Sequence, residues 1–509
     1  MSAPLKIFSA AQIKKADQFT IDHEPVLSEQ LMERAASRCA EWIQRRFAIN
    51  QPVIVFCGPG NNGGDGMVIA RLLLIAGYDT TVYILPGSGN YSPDFILNEG
   101  RLQQLNPGCI HMIHNESMIP DLLPNAIIID AVFGTGLSKP ITGFAQKLIS
   151  VINASGAVIV SIDIPSGLFA DRHSDPEAAI VQAHSTLSFQ FPKLAFFFPE
   201  NAKYIGNYEI LSIGLSETFI QQEPTTQYQL TGNFIKGLLR PRKKFSQKGN
   251  YGHALLVAGS YGMSGAAVLA AKACLRSGAG LLSVHVPSSA YTILQTTNPE
   301  AMVHTDADEK IITGVTGTIT YDAVGIGPGI RTDPKTQEML LQVLQQQKRL
   351  VIDADALNIL ALHKDWLDLL PENSILTPHP KEFERLAGKS TNDFERHGSQ
   401  LAFSKKHKLY LVLKGAHTCI TTPEGDSYFN MTGNPGMAKG GSGDVLTGIL
   451  TSLLAQGYTA KETCLLGVYI HGLAGDIARD TKGETGMIAL DICECLPAAF
   501  KKLEAMGNP

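Results

Sequence analysis

Short, continuous apolar runs recur along this chain with helically spaced segments between them. VIVF (53–56), TVYIL (81–85), AIIIDAVF (126–133) and AVIVSIDIP (157–165) do not alternate apolar with polar. Strands of that kind are covered on both faces, as in a parallel sheet layered with helices. MVIARLLLIAG (67–77) reads as a buried helix between two of them, and the first ~50 residues read as helices. Ser9 and Gln12 have the S-x-x-Q spacing of a capping box, and SEQLMERAASRCAEWI (28–43) has apolar residues at helical spacing. At 216–232 the rhythm lapses into SETFIQQEPTTQYQLTG, polar, glutamine-rich and free of helix or strand periodicity. It then restarts with HALLVAGS (253–260), LLSVHVP (281–287), DAVGIGPG (322–329), RLVIDADAL (349–357) and LYLVLKGAHT (409–418), with a small-residue helix at 265–280. The pattern predicts two three-layer α/β/α domains, residues 1–218 and 232–509, joined by a linker at 219–231. The halves do not look like copies of each other.

Composition narrows the class. The 509 residues exceed one ordinary core, and 44% hydrophobic with 17% charged residues is a globular balance. The net charge is −5, and the one basic cluster, Arg240, Arg242, Lys243 and Lys244, suits a solvated linker end, so no nucleic-acid partner is expected. Of eight cysteines only Cys493 and Cys495 are close, with no zinc set around them. Reduced thiols in a cytoplasmic protein are the simplest reading. The opening MSAPLKIFSAAQIKKADQF lacks a signal-peptide core, and no run reaches the ~18–20 apolar residues of a membrane span.

In open α/β sheets, ligands bind beyond the carboxyl ends of the strands, so chemistry is sought there. GPGNNGGDG (58–66) follows a strand and opens a helix. Its glycines permit positive φ and close backbone approach, and the helix N-terminus favours an anion. It is neither a Walker loop nor a G-x-G-x-x-G loop. Asp130 and Asp163 end two strands; each alone could be a turn or helix cap. With Asn61, Asn62 and Ser166 they form a hard, weakly charged oxygen set suited to a monovalent cation, without the carboxylate crowd of a calcium site.

GPGNNGGDG, DAVFGTGL (130–137), DIPSGL (163–168), KLAFFFPENAKYIG (193–206) and LMERAA (31–36) together resemble the YjeF N-terminal family over residues 5–215. The resemblance implies a Rossmann-like NAD(P)H-hydrate epimerase, interconverting the R and S forms of NAD(P)H hydrated on the nicotinamide ring. It implies that Asn61, Asn62, Gly63, Gly64 and Asp65 contact the hydrate, with a second ligand loop of Gly134, Thr135, Gly136, Leu137, Ser138, Lys139 and Pro140. It also implies K+ at Asn62, Asp130 and Ser166, and Asp163 beside the nicotinamide. Epimerisation needs reversible proton transfer, and Asp163 is the candidate acid–base of these blocks.

In the second half, GGSGDVLTG (440–448) precedes an apolar helical stripe ending near Gly457. Its glycines lie at a helix N-terminus, where N–H groups stabilise phosphoryl oxygens. Asp444, in the first turn, is read either as a cap or as a base. The ordered set KGNYGHALLVAGS, GMSGAA, GIGPG (325–329), DADALN (353–358), TPHPKE, LKGAHT and GGSGDVLTG resembles the YjeF C-terminal family, ribokinase-like NAD(P)H-hydrate dehydratases, over residues 232–505. The resemblance implies that Lys414, Gly415, Ala416, His417, Thr418 and Gly443 bind the adenine nucleotide, and that Ala266, Gly329, His379 and Asp444 face the hydrate. It further implies ADP (with ATP as the alternative) as phosphoryl donor, Mg2+ on the diphosphate, and a homo-oligomer. Two alternatives stay open at this stage: a small-molecule kinase that leaves a stable phosphorylated product, and a non-enzymatic scaffold. Lys439, directly before the loop, either reaches a phosphate or is exposed.

Overall fold

The structure is a computed structural model describing residues 3–87, 91–315, 321–346 and 349–506. Its contacts divide the chain into two compact units. One is Lys6–Thr225 with Asn392–Phe394; the other is Thr226–Thr391 and Glu395–Pro509 with Met1–Leu5.

The first unit is built on a parallel sheet in the spatial order Ile110–Met112, Thr80–Ile84, Val53–Cys57, Ile127–Ala131, Val158–Ile162, Ser185–Phe189, Asn207–Leu211. Alternate residues of one strand feed two cores. Val55 and Cys57 pack with Met32, Cys39 and Met67 from helices Ser28–Arg46 and Asn61–Ile75. Phe56 and Ile128 pack on the other face with Leu148 and Ile152 of helix Gly143–Ala154. The continuous apolar runs are therefore strands covered twice. Helix Ala10–His23 opens with the expected capping box of Ser9 and Gln12. After Val53–Cys57 the chain builds outward on one side and then, from Ile127–Ala131, on the other. The switch point lies between these two strands, and their carboxyl ends frame a crevice.

In the second unit the sheet runs Gln227–Gln229, Ser427–Phe429, Cys419–Thr421, Tyr410–Leu413, Ile375–Leu376, Leu350–Ile352, Ala323–Ile326, His253–Val257, Leu281–Val286, Met302–Thr305. Leu256 packs with helices Ser264–Arg276, Ser442–Ala455 and Ala460–Lys482, whereas Leu255 and Val257 pack with Met339, Leu340 and Leu357 opposite. The switch point falls between His253–Val257 and Ala323–Ile326, where the Gly259 N–H donates to Pro328 O at 2.7 Å.

Two expectations are corrected. The sheet of the second unit is not wholly parallel: Tyr410–Leu413, Cys419–Thr421 and Ser427–Phe429 pair antiparallel. KGAHT is the turn of a hairpin, which returns the chain along the same edge instead of crossing over. Nor is 216–232 structureless, since Glu217–Gln222 is a helix and Gln227–Gln229 a strand. Phe219 and Ile220 bury against the core of Phe8 and Ile13, and Tyr228 stacks on Tyr428. Six- and three-residue elements are too short for a period to be read.

Helices Ser442–Ala455 and Ser264–Arg276 meet through Gly448, where a Cβ would lie 2.1 Å from Ala270 O. Gly448→Ala must push the helices apart, and we expect a loss of about 1–3 kcal/mol, read by denaturant unfolding.

Candidate active sites

In the first unit helix Asn61–Ile75 starts directly after Gly60, so NNGGDG is the opening of the helix and not a loop before it. The expected helix at 67–76 is the later part of this element. The expectation of positive φ also fails, because Gly63, Gly64 and Gly66 are helical. Their need is space: a Cβ on Gly63 would sit 1.8 Å from Gly58 O, and one on Gly66 2.7 Å from Cys57 Sγ. The helix N-terminus opens into a cavity of about 880 Å³ lined by Asn61, Asn62, Asp65, Gly134, Thr135, Gly136, Leu137, Ser138, Lys139, Pro140 and Asp163. The sequence thus brings two motifs and one strand end to a single cavity. Gly63 and Gly64 are not in its lining, nor are the deeper Asp130 and Ser166.

Asp163 follows strand Val158–Ile162 in a left-handed conformation, φ +65°. Its Oδ1 accepts a 2.5 Å bond from Lys193 Nζ. Lys193 is wholly buried, and its ammonium also donates to Ser188 Oγ at 2.7 Å and Phe191 O at 3.2 Å. The second oxygen, Oδ2, lies 3.7 Å from the place a Cβ on Gly134 would take, and Asn62 Cβ lies 3.3 Å from the same place. Asp163, Asn62 and Gly134 therefore converge.

Asp130 and Ser166 are directly bonded. Ser166 Oγ and N donate to the Asp130 carboxylate at 2.5 and 2.9 Å, and Ser161 Oγ adds a third bond at 2.7 Å. Burial raises the Asp130 pKa against these bonds. No basic side chain pairs with it among the described residues. Asn62 Oδ1 and Nδ2 are buried with no hydrogen-bond partner. A buried carboxylate with no basic partner and a buried amide with no hydrogen-bond partner are donors of the kind that suit a weakly bound monovalent cation. Among the described residues no group of three or more His, Cys, Asp or Glu could hold a metal ion.

In the second unit Gly441 caps helix Ser442–Ala455 in a left-handed conformation (φ +94°), which aims the first N–H groups of the helix outward. Asp444 stands in the first turn, as the sequence predicts. Its carboxyl is pushed up to about 7, by burial first and then by Asp353, with Lys414 opposing. Asp353, 1% exposed, accepts from Lys414 Nζ at 2.7 Å and from Thr447 Oγ1 at 2.8 Å. A Cβ on Gly443 would be 3.4 Å from Lys414 Nζ and 3.5 Å from Asp353 Oδ2, so bulk there would fill the space beside the ion pair. Burial lowers the Lys414 pKa, but Asp353, Glu382 and Asp444 outweigh it and raise it overall. Gly415, Ala416, His417 and Thr418 form the hairpin turn that follows, closed by a Thr418 Oγ1 bond to Gly415 O at 3.1 Å. Burial holds the His417 imidazole below its ordinary pKa.

Ala266 and Gly329 meet: a Cβ on Gly329 (φ +65°) would lie 3.2 Å from Ala266 Cβ. His379 caps helix Pro380–Ala387, its Nδ1 accepting from Lys381 N at 3.1 Å and Glu382 N at 3.3 Å. Those bonds require Nδ1 without a proton, so a neutral ring carries its hydrogen on Nε2. Glu382 in turn accepts from His379 N at 2.8 Å and lies 4.0 Å from Lys414 Nζ. The chain His379–Glu382–Lys414–Asp353 thus links three of the sequence motifs.

A family model described as YjeF-related protein N-terminus matches residues 28–195, and one described as NAD(P)H-hydrate dehydratase matches 254–498. The bifunctional NAD(P)H-hydrate repair enzyme Nnr of Moorella thermoacetica is 35% identical, covering 98% of this chain and 97% of that protein. The Nnr of Coxiella burnetii is 34% identical over 99% of each. The chain belongs to the bifunctional NAD(P)H-hydrate repair enzymes. The ADP/ATP-dependent NAD(P)H-hydrate dehydratase of Bacillus subtilis, co-crystallised with ATP and Mg2+, is similar to part of this chain; it is 31% identical, with 54% of this chain and 98% of that one covered and a TM-score of 0.48.

As in its family, this repair enzyme joins a Rossmann-like YjeF N-terminal domain to a ribokinase-like one. Several groups at its two sites escape sequence reasoning. Lys193 stands inside a quoted motif, but a lysine before FFF gives no sign of burial. Asp353 was visible only as one of two acids in DADALN. His471, from YIHGLAGD, places Nε2 3.4 Å from Ser442 Oγ, and burial pushes it down to about 4. Asp476 of the same helix accepts from Gly433 N and Asn434 Nδ2 at 3.0 and 3.1 Å, fixing the chain that leads into the glycine loop. Of the two alternatives for Lys439, the exposed one holds: the residue is exposed, with its ammonium tied to the carbonyls of Thr485 and Met487.

Proposed function

We propose that the first unit epimerises hydrated NAD(P)H and the second dehydrates the S form, using ADP as phosphoryl donor and giving AMP and phosphate. The observation that carries the reading is the placement of the Asp444 carboxyl, in the first turn of a helix beside the Lys414–Asp353 pair and raised to about 7 by burial. Asp444 takes the proton of the ring hydroxyl as that oxygen attacks the terminal phosphoryl group. The anhydride bond breaks and the nucleotide leaves one phosphate shorter. The ring nitrogen lone pair then expels the new phosphate ester, and loss of the C5 proton restores the dihydronicotinamide. N–H groups near Gly443, with Lys414, Gly415, Ala416, His417 and Thr418, would hold the nucleotide. Ala266, Gly329 and His379 would position the hydrate. Mg2+ held on the nucleotide phosphates would supply charge neutralisation there.

In the first unit Asp163 would act as acid–base beside the nicotinamide. Asn61 to Asp65 and Gly134 to Pro140 would hold the dinucleotide, with Gly63 and Gly64 offering backbone only. Asn62, Asp130 and Ser166 would hold K+, which supplies fixed positive charge to the anionic substrate. A cytoplasmic homo-oligomer belongs to the same reading; among the described residues no helix is long and apolar enough to cross a membrane.

The test gives the protein mixed R and S NADH hydrate with ADP or ATP in turn and follows dihydronicotinamide absorbance. Full recovery is expected. Recovery that halts at the S fraction refutes the epimerase assignment, and a stable phosphorylated product makes the second unit a kinase.

A further inference from the structure

The cavity of the first unit holds a carboxyl that the reaction as so far assigned does not use. Asp17, on helix Ala10–His23, lines the same cavity as Asp163 but arrives from a different element. Among the described residues its carboxyl makes no hydrogen bond or ion pair with another protein group. Burial, then the charge of Asp163, pushes it up to about 7 against Lys193. Asp163 is differently placed, because the wholly buried Lys193 ammonium occupies its Oδ1. The cavity also holds Asn62, 9% exposed, whose amide lacks any protein partner. Three unpartnered polar groups, Asp17, Asn62 and Asp65, and one ion-paired carboxylate thus face a single space. Inverting this carbon by loss and re-addition of the hydroxyl gives a proton to the leaving oxygen and takes another from the incoming one. Two carboxyls on different elements, one held by an ammonium and one without a partner, can divide those two tasks.

We propose that Asp17 is a second catalytic residue of the epimerase, touching the ring hydroxyl as general acid while Asp163 is the base. This rests on the epimerase reading of the first unit. The Asp17 proton passes to the hydroxyl oxygen, the C6–O bond breaks, and the N1 lone pair forms the N1=C6 bond as water leaves. Water then adds to the opposite face of C6, the π pair returns to N1, and the added water loses a proton to Asp163. Asp17 ends as carboxylate and Asp163 as acid. Solvent exchange resets the pair, or the reverse turnover uses it directly. Water is the only co-reactant.

The experiment uses the full chain with R- and S-NADPH hydrate, and follows epimer exchange by chromatography without nucleotide. Asp17→Asn is expected to lower kcat for exchange at least ~100-fold with KM within about threefold. Wild-type exchange should fall as pH rises through about 7, because the acid is lost on ionisation, and the residual activity of Asp17→Asn should lack that limb. The other charged groups around the cavity are Lys14, Asp65, Asp94, Lys139 and Asp163, with Lys193 behind it. Asp65 is also raised, by burial and then by Asp163, so loss of the limb in the Asp17 variant alone assigns it. S-hydrate dehydration and the thermal unfolding profile report that the variant is folded. Asp17→Glu, which keeps a carboxyl, should retain more exchange than Asp17→Asn. A kcat within about fivefold of wild type in Asp17→Asn overturns the proposal, as does a rise in KM with kcat unchanged. A wild type that exchanges no epimers overturns the epimerase reading itself, and this proposal with it.

Discussion

Asp444→Asn should lower dehydration of the S hydrate by about 10²–10⁴-fold while R/S exchange proceeds at the wild-type rate. The substitution keeps the shape and the first-turn position of the side chain, so the helix N-terminus and the Lys414–Asp353 pair stay in place. What goes is the ability to accept a proton. The pH profile gives the sign. Burial and Asp353 raise the Asp444 carboxyl to about 7, and a base works only when ionised. Dehydratase kcat/KM should therefore fall as pH drops below about 7 and level off above it, since this ratio reports the free enzyme. Asp444→Asn should lose that limb. A variant that kept both rate and limb would return Asp444 to the role of a helix cap.

The two limbs predicted for one chain run in opposite directions. Dehydration needs Asp444 ionised and gains as pH rises; exchange needs Asp17 protonated and loses. Both carboxyls are raised by burial first and by a neighbouring aspartate second, and each has a lysine opposing the shift. The lysines differ in placement. Lys414 bonds Asp353, leaving Asp444 free, whereas Lys193 bonds Asp163, leaving Asp17 free. In each site a carboxyl without the lysine is raised by burial and by the neighbouring aspartate.

Features written in local sequence were readable. Val53–Cys57 and Ile127–Ala131 announce themselves because both faces are buried, and the glycine motifs after them mark strand ends next to helix starts. Ser9–Gln12 and Asp444 are likewise set by residues three or four apart. The rest depends on neighbours remote in the chain. Asp17 lies 146 positions before Asp163 and on the polar side of an ordinary-looking helix. Lys193 looks like a solvent-facing residue until the turn at Phe189–Phe191 brings its carbonyls around the ammonium. The antiparallel edge was unreadable for another reason: Cys419–Thr421 and Ser427–Phe429 are three residues each, and direction of pairing leaves no mark in so short a run.

Lys193→Met should destabilise the first unit by about 3–5 kcal/mol, because it leaves the largely enclosed Asp163 carboxylate without its ion-pair partner. The pair is enclosed, with the lysine side chain 0% and the aspartate side chain 13% exposed. Asp163 also holds a left-handed backbone, which the ion pair helps to fix. For a unit of this size the midpoint should drop on the order of 10 °C, seen as one early transition in calorimetry while dehydratase activity survives below it. Exchange should be lost even at temperatures where the unit stays folded, since Oδ1 no longer has a fixed partner and Oδ2 no longer a fixed direction. The double variant Asp163→Leu/Lys193→Met separates the two effects. Removing both charges takes away the desolvation cost along with the attraction, so the double variant should recover much of the stability lost in Lys193→Met. It should recover none of the exchange. If the double variant were as unstable as the sum of the two single ones, the pair would not be the unit that holds this turn together, and Lys193 would be a packing residue with a charge at its end.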